Sequence, residues 1–240
     1  MQVSTFGTPA ELAGVSLEDT AVVVIDVLRM TSVATVAVAG GCAGLYAVAD
    51  VDEARELAQA HGALLGGERG ALRIEGFDFD NSPLAYTKER IAGRKLVMTT
   101  TNGTRAIAAA KGARRILLGA FINAQAVADA LDAEQQVAFS CAGTYDRFTL
   151  EDALAAGCMV EKLRARHSAI QPDDMAIACE MLYMQAKDDL MGALSGAAHF
   201  ERLKRLGMED DLRFCLQEDV LDTVAGLGQD GAFHSIMRKQ

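Results

Sequence analysis

The feature that most constrains the fold is an alternation of aliphatic runs with helix-like segments along the first two thirds of the chain. The β-branched run AVVVIDVL at 21–28 predicts a buried strand, and RMTSVATVAVAGG, directly after it, predicts a helix that ends at glycine. The same order recurs several times up to about residue 170. Strands that alternate with helices predict a three-layer α/β fold, in which a mainly parallel sheet has helices on both faces.

Two of these strand–helix units resemble each other. When the chain is shifted so that Gly112 falls on Gly41, KLVMTTTNGTRAIAAAKG is laid over VIDVLRMTSVATVAVAGG. Both segments show a strand, a polar loop, an alanine-rich helix and a glycine. Few residues are identical, so the pattern fits an internal duplication or a chance similarity between two ordinary α/β units.

The pattern changes near Gln171. The residues that follow are rich in methionine and helical in spacing, without a convincing strand. We interpret the methionines as core filling. No low-complexity linker separates this part, so we predict a single domain, 1–240, with a strand–helix core at 1–170 and a mainly helical packing region at 171–240.

The charge balance restricts the class of ligand. The chain has 23 Lys and Arg residues against 33 Asp and Glu residues, a formal charge of −10. Nucleic acids and anionic membranes need a basic surface, so neither is expected as a partner. A small anionic substrate is compatible, since a local arginine cluster can bind one. Five scattered cysteines and no recognisable signal peptide predict a cytoplasmic protein, and an alanine- and methionine-rich surface is compatible with a homodimer.

Polar residues follow the predicted strands, where an open α/β sheet binds its ligands. Asp26 interrupts the first aliphatic strand, and Arg29 follows it. A buried carboxylate is costly unless it is paired or binds a metal. From residue types alone, an Asp26–Arg29 salt bridge and a metal ligand at Asp26 are equally good interpretations.

Two further loops add candidate ligands. The glycine-flanked pair Glu68 and Arg69 ends one strand, and DNSP, which contains Asn81 and Ser82, follows soon after. The loop TTTNGTRA places Asn102, Gly103 and Thr104 at a strand-to-helix junction, where backbone N–H groups and hydroxyls can bind an oxyanion. An ordinary Thr/Asn helix cap explains the last loop equally well.

The loop SCAGTYDRF has the C-x5-R spacing of cysteine-dependent phosphatases, between Cys141 and Arg147. Ser140 and Phe148 are atypical neighbours for such a loop, and Asp146 would oppose a bound phosphate and raise the pKa of the thiol. We therefore expect Cys141 to line the pocket, with a thiolate nucleophile as the alternative.

A helix follows this loop. Thr149 and Asp152 are spaced as a capping box at its start, and Glu151 lies between them. The histidines have no metal-ligand spacing and are expected on helix surfaces, which disfavours zinc. Together, the loops supply the carboxylates and arginines that a divalent-metal phosphoryl site needs.

Five motifs, in order, identify a family. VVVIDVLRMTS, GERG, GFDFDNSP, TTTNGTRA and CAG followed by FTLEDALAAG lie between about Val22 and Glu161. They resemble the successive motifs of the 2-phosphosulfolactate phosphatase family. The resemblance implies a magnesium-dependent acid phosphatase that hydrolyses (R)-2-phospho-3-sulfolactate to sulfolactate and phosphate, a step toward coenzyme M. The family positions carried over are Asp26, Arg29, Glu68, Arg69, Asn81, Ser82, Asn102, Gly103, Thr104, Cys141, Glu151 and Asp152.

Our hypothesis for the site follows from this resemblance. Mg²⁺ is held by Asp26 and by one or more of Glu68, Glu151 and Asp152. Arg29, Arg69 and the N–H groups of 102–104 bind the remaining phosphate charge, and water or a carboxylate such as Asp26 attacks. A phosphatase for another small phosphorylated hydroxy acid, or a non-catalytic anion-binding protein, are the alternatives.

Overall fold

The computed structural model describes residues 1–167 and 169–236. Its strands are β1 (Gln2–Phe6), β2 (Ala21–Ile25), β3 (Gly44–Ala47), β4 (Leu64–Arg69), β5 (Leu72–Arg73), β6 (Lys95–Thr99), β7 (Arg115–Gly119), β8 (Gln136–Cys141), β9 (Gln171–Pro172), β10 (Val224–Leu227) and β11 (Phe233–Ile236). Its α-helices are α1 (Met30–Ala39), α2 (Val51–His61), α3 (Lys88–Ile91), α4 (Gly103–Ala109), α5 (Ala124–Ala130), α6 (Leu150–Arg166), α7 (Asp174–Ala186), α8 (Leu190–Ala193), α9 (Ala198–Arg205) and α10 (Glu209–Cys215).

The strands form one sheet in the order β5-β4-β6-β3-β11-β10-β7-β2-β8-β1-β9. The pairs among β4, β6 and β3 are parallel, as are those along β7-β2-β8-β1-β9. Helices cover both faces, so the predicted three-layer, mainly parallel α/β fold is confirmed.

Helices α1 and α4 share one face of the sheet. They pack against the aliphatic side chains Val22, Val24, Leu96 and Met98. The alternate residues of β2, together with β8, face the opposite layer, where α5 and α6 lie. Because β2 is covered on both sides, its sequence is uniformly apolar up to Asp26.

The C-terminal part is helical from Asp174 to Cys215, as predicted, but two strands that the sequence pattern did not indicate follow it. The hairpin of β10 and β11 lies in the middle of the sheet and pairs antiparallel with β7 and β3. Each strand has four residues, too few for the alternation that identifies a strand in sequence. The last part of the chain therefore completes the sheet built by the first.

The sheet has the order that an internal duplication predicts. The central strand order is β4-β6-β3-β11-β10-β7-β2-β8. Read from its two ends inward, it pairs each strand of one half with its counterpart in the other half: β4 with β8, β6 with β2, β3 with β7 and β11 with β10. Three successive antiparallel pairings give the two halves opposite polarity. The segments that follow β2 and β6 nevertheless meet, since Gly103 lies against Asp26. Along the described residues, no helix is long and apolar enough to span a membrane.

Candidate active site

A cavity lies where the loops after β2, β4, β6 and β8 meet α9. Five of the predicted site residues line it, namely Asp26, Arg29, Glu68, Asn81 and Asn102. An adjoining groove shares Thr144, Tyr145, His199 and Arg202 with the cavity and is also lined by Arg147 and Glu151. The structure thus brings together loops that are far apart in the sequence.

Asp26 is a buried carboxylate at the end of β2, and its surroundings disfavour its charge. The backbone N–H of Met30 lies 3.3 Å from its Oδ1, and the N–H of Gly103 also donates to it. In the part of the chain that the structure describes, no Lys, Arg or His forms an ion pair with Asp26. Burial, with repulsion by Asp152 and Glu68, raises the pKa of Asp26 to about 8.

Arg29 does not pair with Asp26, so the salt-bridge interpretation is wrong. Its Nη1 donates to Asp211 of α10, and its Nη2 lies 3.4 Å from the carbonyl oxygen of Ala71. The hydroxyl of Ser82 donates to the other oxygen of Asp211 at 2.5 Å. Ser82 does not line the cavity. Its hydroxyl binds the Asp211 carboxylate, which in turn holds Arg29.

Glu68 and Arg69 are neighbours in sequence with different surroundings. Oε1 of Glu68 accepts from the N–H of Thr101 at 2.8 Å, and Oε2 accepts from the N–H of Ala71 at 2.6 Å. Arg69 points away from the cavity and donates to the carbonyl oxygens of Glu68 and Ala49 and to Oγ1 of Thr99. The structure thus places Glu68, but not Arg69, at the cavity.

The two amide side chains at the cavity differ in what they bind. Oδ1 of Asn81 is buried without a hydrogen-bond donor, whereas Oδ1 of Asn102 accepts from the N–H of Tyr145 at 3.3 Å. Thr104 is buried and donates its hydroxyl to the carbonyl oxygen of Thr100 at 2.8 Å, so it is used within its own loop.

Gly103 permits the closest approach in the site. A Cβ added there would lie 2.6 Å from Oδ2 of Asp26 and 2.7 Å from Cβ of Met30, both well inside contact distance. The absence of a side chain therefore allows α4 to start directly against the Asp26 carboxylate.

The loop after Cys141 is not a phosphate-binding loop. The N–H groups of 142–145 and 147 are all used inside the protein, on Ile25, Asp152, Arg147, Asn102 and Thr144. The thiol of Cys141 is buried outside the cavity, and burial raises its pKa well above the ordinary value, with Asp152 adding to the shift. A thiolate mechanism needs free N–H groups around the phosphate and a thiol of low pKa, so both observations argue against it.

Asp152 and Glu151 begin α6 and are both buried. Asp152 accepts from the N–H groups of Val27 and Gly143 and from the hydroxyl of Thr149, at 2.9 to 3.0 Å. The predicted capping box is absent, since Thr149 donates to Asp152 instead of accepting from its N–H. Burial raises the pKa of each carboxyl to about 7, with Glu151 repelling Asp152 and Asp26 repelling Glu151. Asp152 thus holds the loop after β2 to the loop after β8, and Glu151 lines the groove.

The oxygen ligands at the cavity are compatible with the implied magnesium ion. Among residues 1–167 and 169–236, no three His, Cys, Asp or Glu side chains converge as a metal-binding group, so a four-carboxylate cage is not formed. A Mg²⁺ site usually takes only one or two protein carboxylates, with waters and substrate phosphate completing it. Asp26 and Glu68, which line the cavity and lack a cationic partner in the described chain, and the unpartnered Oδ1 of Asn81 fit such a site.

Helix α9 contributes two polar cavity residues that the sequence did not reveal. His199 was expected on a helix surface but lines the cavity, and its Nε2 lies 2.8 Å from the carbonyl oxygen of Leu28. A carbonyl only accepts, so Nε2 carries the proton, and Nδ1 is buried without a partner. Burial lowers the pKa of His199, so the ring is neutral at pH 7. Arg202 lies three residues later on the same side of α9.

Residues 6–230 match the model of the 2-phosphosulpholactate phosphatase family. The chain belongs to this family. A relative from Caldicellulosiruptor saccharolyticus named "Probable 2-phosphosulfolactate phosphatase" is 44% identical over 231 residues, which is 93% of this chain and 96% of the relative. Relatives of the same name from Symbiobacterium thermophilum and Clostridium acetobutylicum are 42% and 39% identical, and they cover 81% and 84% of this chain and 85% and 87% of their own.

Membership of the 2-phosphosulfolactate phosphatase family agrees with the resemblance inferred from the five motifs. The match extends from the first strand to the β10–β11 hairpin, so it includes α9 and α10, which carry His199, Arg202 and Asp211. These three residues lie beyond the five motifs, which end near Glu161.

Proposed function

We propose that this chain is a magnesium-dependent phosphatase that hydrolyses (R)-2-phospho-3-sulfolactate to 3-sulfolactate and phosphate. Family membership supports the class of reaction, because the relatives carry that activity in their names. The observation that carries the proposal is Asp26, a buried carboxylate on the cavity wall without a cationic partner in the described chain. Carboxylates with strongly raised pKa values on a cavity wall are concentrated at functional sites.

The magnesium ion would be held by Asp26, with Glu68 and Asn81 as further oxygen donors on the cavity wall. When bound, it would supply positive charge that offsets the carboxylates and the substrate phosphate. Asp152 is used by three internal donors, so we assign it the positioning of the β2 and β8 loops.

The protein's own residues orient the phosphate. Arg29 is held by Asp211 and cannot swing out, so it presents fixed positive charge to the cavity. The N–H group of Gly103 is already bound to Asp26, which leaves the side chain of Asn102 as the contribution of that loop. Cys141 has no role in this scheme. Water attacks the phosphorus as the bond to the C2 oxygen of the substrate breaks, and a proton from that water ends on the hydroxyl of 3-sulfolactate. Alternatively, the Asp26 carboxylate displaces the same oxygen and water then hydrolyses the aspartyl phosphate.

The test is phosphate release from racemic 2-phospho-3-sulfolactate with Mg²⁺, with excess EDTA, and with Mg²⁺ restored. Turnover that EDTA abolishes and Mg²⁺ restores supports the proposal. Turnover that is indifferent to EDTA overturns the magnesium requirement. Retained binding of the substrate without turnover by the metal-loaded protein would identify an anion-binding protein instead.

A phosphatase for a different small hydroxy acid is the second candidate, because pocket contacts decide specificity within a family. A panel of three-carbon phosphates under the same conditions separates the two. A cytoplasmic location and a homodimer remain proposals, which cell fractionation and light scattering on the purified protein would test.

A further inference from the structure

The arginines around the cavity are not equally available to a ligand. Arg29 is paired with Asp211, and Arg69 uses its donors on backbone carbonyls and on Thr99. Arg105 forms an exposed ion pair with Asp146. Each of these arginines has some of its donors used within the protein, and Arg147, whose side chain has no such partner in the described chain, lines the groove but not the cavity.

Arg202 differs from these three. It lines both the cavity and the groove, and in the described chain no carboxylate lies within ion-pair distance of it. The hydroxyl of Tyr145, 3.3 Å from Nη1, is its one recorded hydrogen-bond partner among these residues. A guanidinium has five N–H donors, so most of its capacity is open to a ligand.

The fold holds Arg202 at the junction of the cavity and the groove. Phe200 and Leu203 are buried in the core and anchor α9, which sets the direction of the residues between them. A Cβ placed on Gly70 would lie 3.6 Å from Nη2, which is contact distance, so the guanidinium rests against the loop after Glu68. Asp26 and Arg29 are buried and line the cavity alone, whereas Arg202 is half-buried and lines both the cavity and the groove.

We propose that Arg202 binds the sulfonate of the substrate and thereby selects three-carbon phosphates that carry a second strong acid group. This inference rests on the proposed function. The phosphate takes the deep end of the cavity, which leaves the sulfonate at the other end of the molecule to meet the open guanidinium. The planar fork of arginine can donate two parallel hydrogen bonds to two oxygens of a sulfonate, as it does to a phosphate.

The experiment compares 2-phospho-3-sulfolactate with 2-phospholactate, which keeps the phosphate and the carboxylate and lacks the sulfonate. We expect Arg202→Met to lower the preference in kcat/KM for the sulfonated substrate about 10- to 100-fold, the value of one or two charge-assisted hydrogen bonds. Arg202→Lys should keep part of the preference, since it keeps the charge but loses the fork. Arg205→Met, an exposed position on the same helix outside the cavity, is the matched control.

The outcomes separate this inference from the proposed function. If the wild type hydrolyses the sulfonated substrate and Arg202→Met keeps the full preference, the inference is overturned and the function stands. Equal losses on both substrates would assign Arg202 to the shared carboxylate or phosphate and would also overturn it. If the wild type shows no turnover, calorimetric binding of 3-sulfolactate replaces kinetics. Weaker binding in the variant supports the inference, and equal binding refutes it.

Discussion

Arg29 donates to Asp211, 182 residues later in the chain, and not to Asp26, its near neighbour in sequence. This pairing leaves two carboxylates of the cavity, Asp26 and Glu68, without a cationic partner in the described chain. The two carboxylates are suited to a cation, and the pairing with Asp211 keeps the Arg29 guanidinium in a fixed position where it can bind an anion.

Removing one partner of the buried pair should destabilise the protein. We expect Asp211→Ala to lower the free energy of unfolding by about 3–5 kcal/mol, because it leaves the Arg29 charge buried and unpaired. Asp211→Asn should cost less, since an amide oxygen can still accept from Arg29. Urea unfolding measures both, and Asp210→Ala, an exposed neighbour, should change the free energy by less than about 1 kcal/mol. Equal effects at 210 and 211 would contradict the buried pairing.

Asp26→Asn should separate activity from stability. The variant should lose roughly 100-fold or more in kcat, a loss typical of removing a preorganised charged group. It should be at least as stable as the wild type at pH 8 without Mg²⁺, because it removes a carboxylate whose charge is disfavoured by burial. Steady-state kinetics and thermal melting provide the two readouts. A variant that is both active and less stable would assign Asp26 a structural role.

The carboxyl cluster should make the metal-free protein less stable as the pH rises. Burial raises the pKa to about 8 for Asp26 and to about 7 for Glu151 and Asp152, against ordinary values of 3.8, 4.5 and 3.8. The folded state holds protons that the unfolded chain has released, so this stability is fully present below the ordinary pKa values and is lost as the pH rises through 7 and 8.

The measurement is urea unfolding in EDTA at several pH values between about 6.5 and 8, above the ordinary pKa of histidine, so that His199 does not oppose the trend. The free energy of unfolding should fall across this range, and Mg²⁺ should raise it most at the upper end, where the carboxylates are charged. The free energy of unfolding should depend less steeply on pH in Asp26→Asn. A flat profile in the wild type would show that these carboxyl groups are charged in the folded protein.

Local sequence patterns predicted most of the fold because its strands and helices bury continuous aliphatic or alanine-rich segments. Strand β1 was overlooked although Val3 and Thr5 alternate with more exposed residues, a signal that the sequence does contain. The β10–β11 hairpin was missed for a different reason. Its strands are short, and Gly226 interrupts one of them, so their pairing with β7 and β3 depends on the finished sheet.

The site was predictable where polar residues interrupt a regular pattern, as Asp26 does in β2 and Asn102 does before α4. The partner of Arg29 was not predictable, because Asp211 is one of three acidic residues in the first turn of α10, which is an ordinary pattern for a helix start. His199 and Arg202 were missed for the same reason, since only the packing of Phe200 and Leu203 directs that side of α9 to the cavity.

The contact between Gly103 and Asp26 gives a steric prediction. Gly103→Ala should lower activity strongly and reduce stability, because the added methyl would lie 2.6 Å from Oδ2 of Asp26 and must displace it. Ala108→Gly, at an exposed position of the same helix, should cost roughly 0.5–1 kcal/mol through backbone entropy and leave kcat unchanged. The measurement is the kcat of phosphate release for both variants. An active Gly103→Ala protein would show that the carboxylate can move without loss.

Cys141 gives the last prediction, which separates the metal site from the C-x5-R interpretation. Cys141→Ala should keep its turnover and its response to EDTA, because the thiol is buried outside the cavity and its pKa is raised well above the ordinary value. Cys158→Ala, a second buried free thiol, controls for the packing loss. Phosphate release with Mg²⁺ is the measurement, repeated after treatment of the wild type with iodoacetamide. Loss of turnover in Cys141→Ala but not in Cys158→Ala would restore the thiolate mechanism.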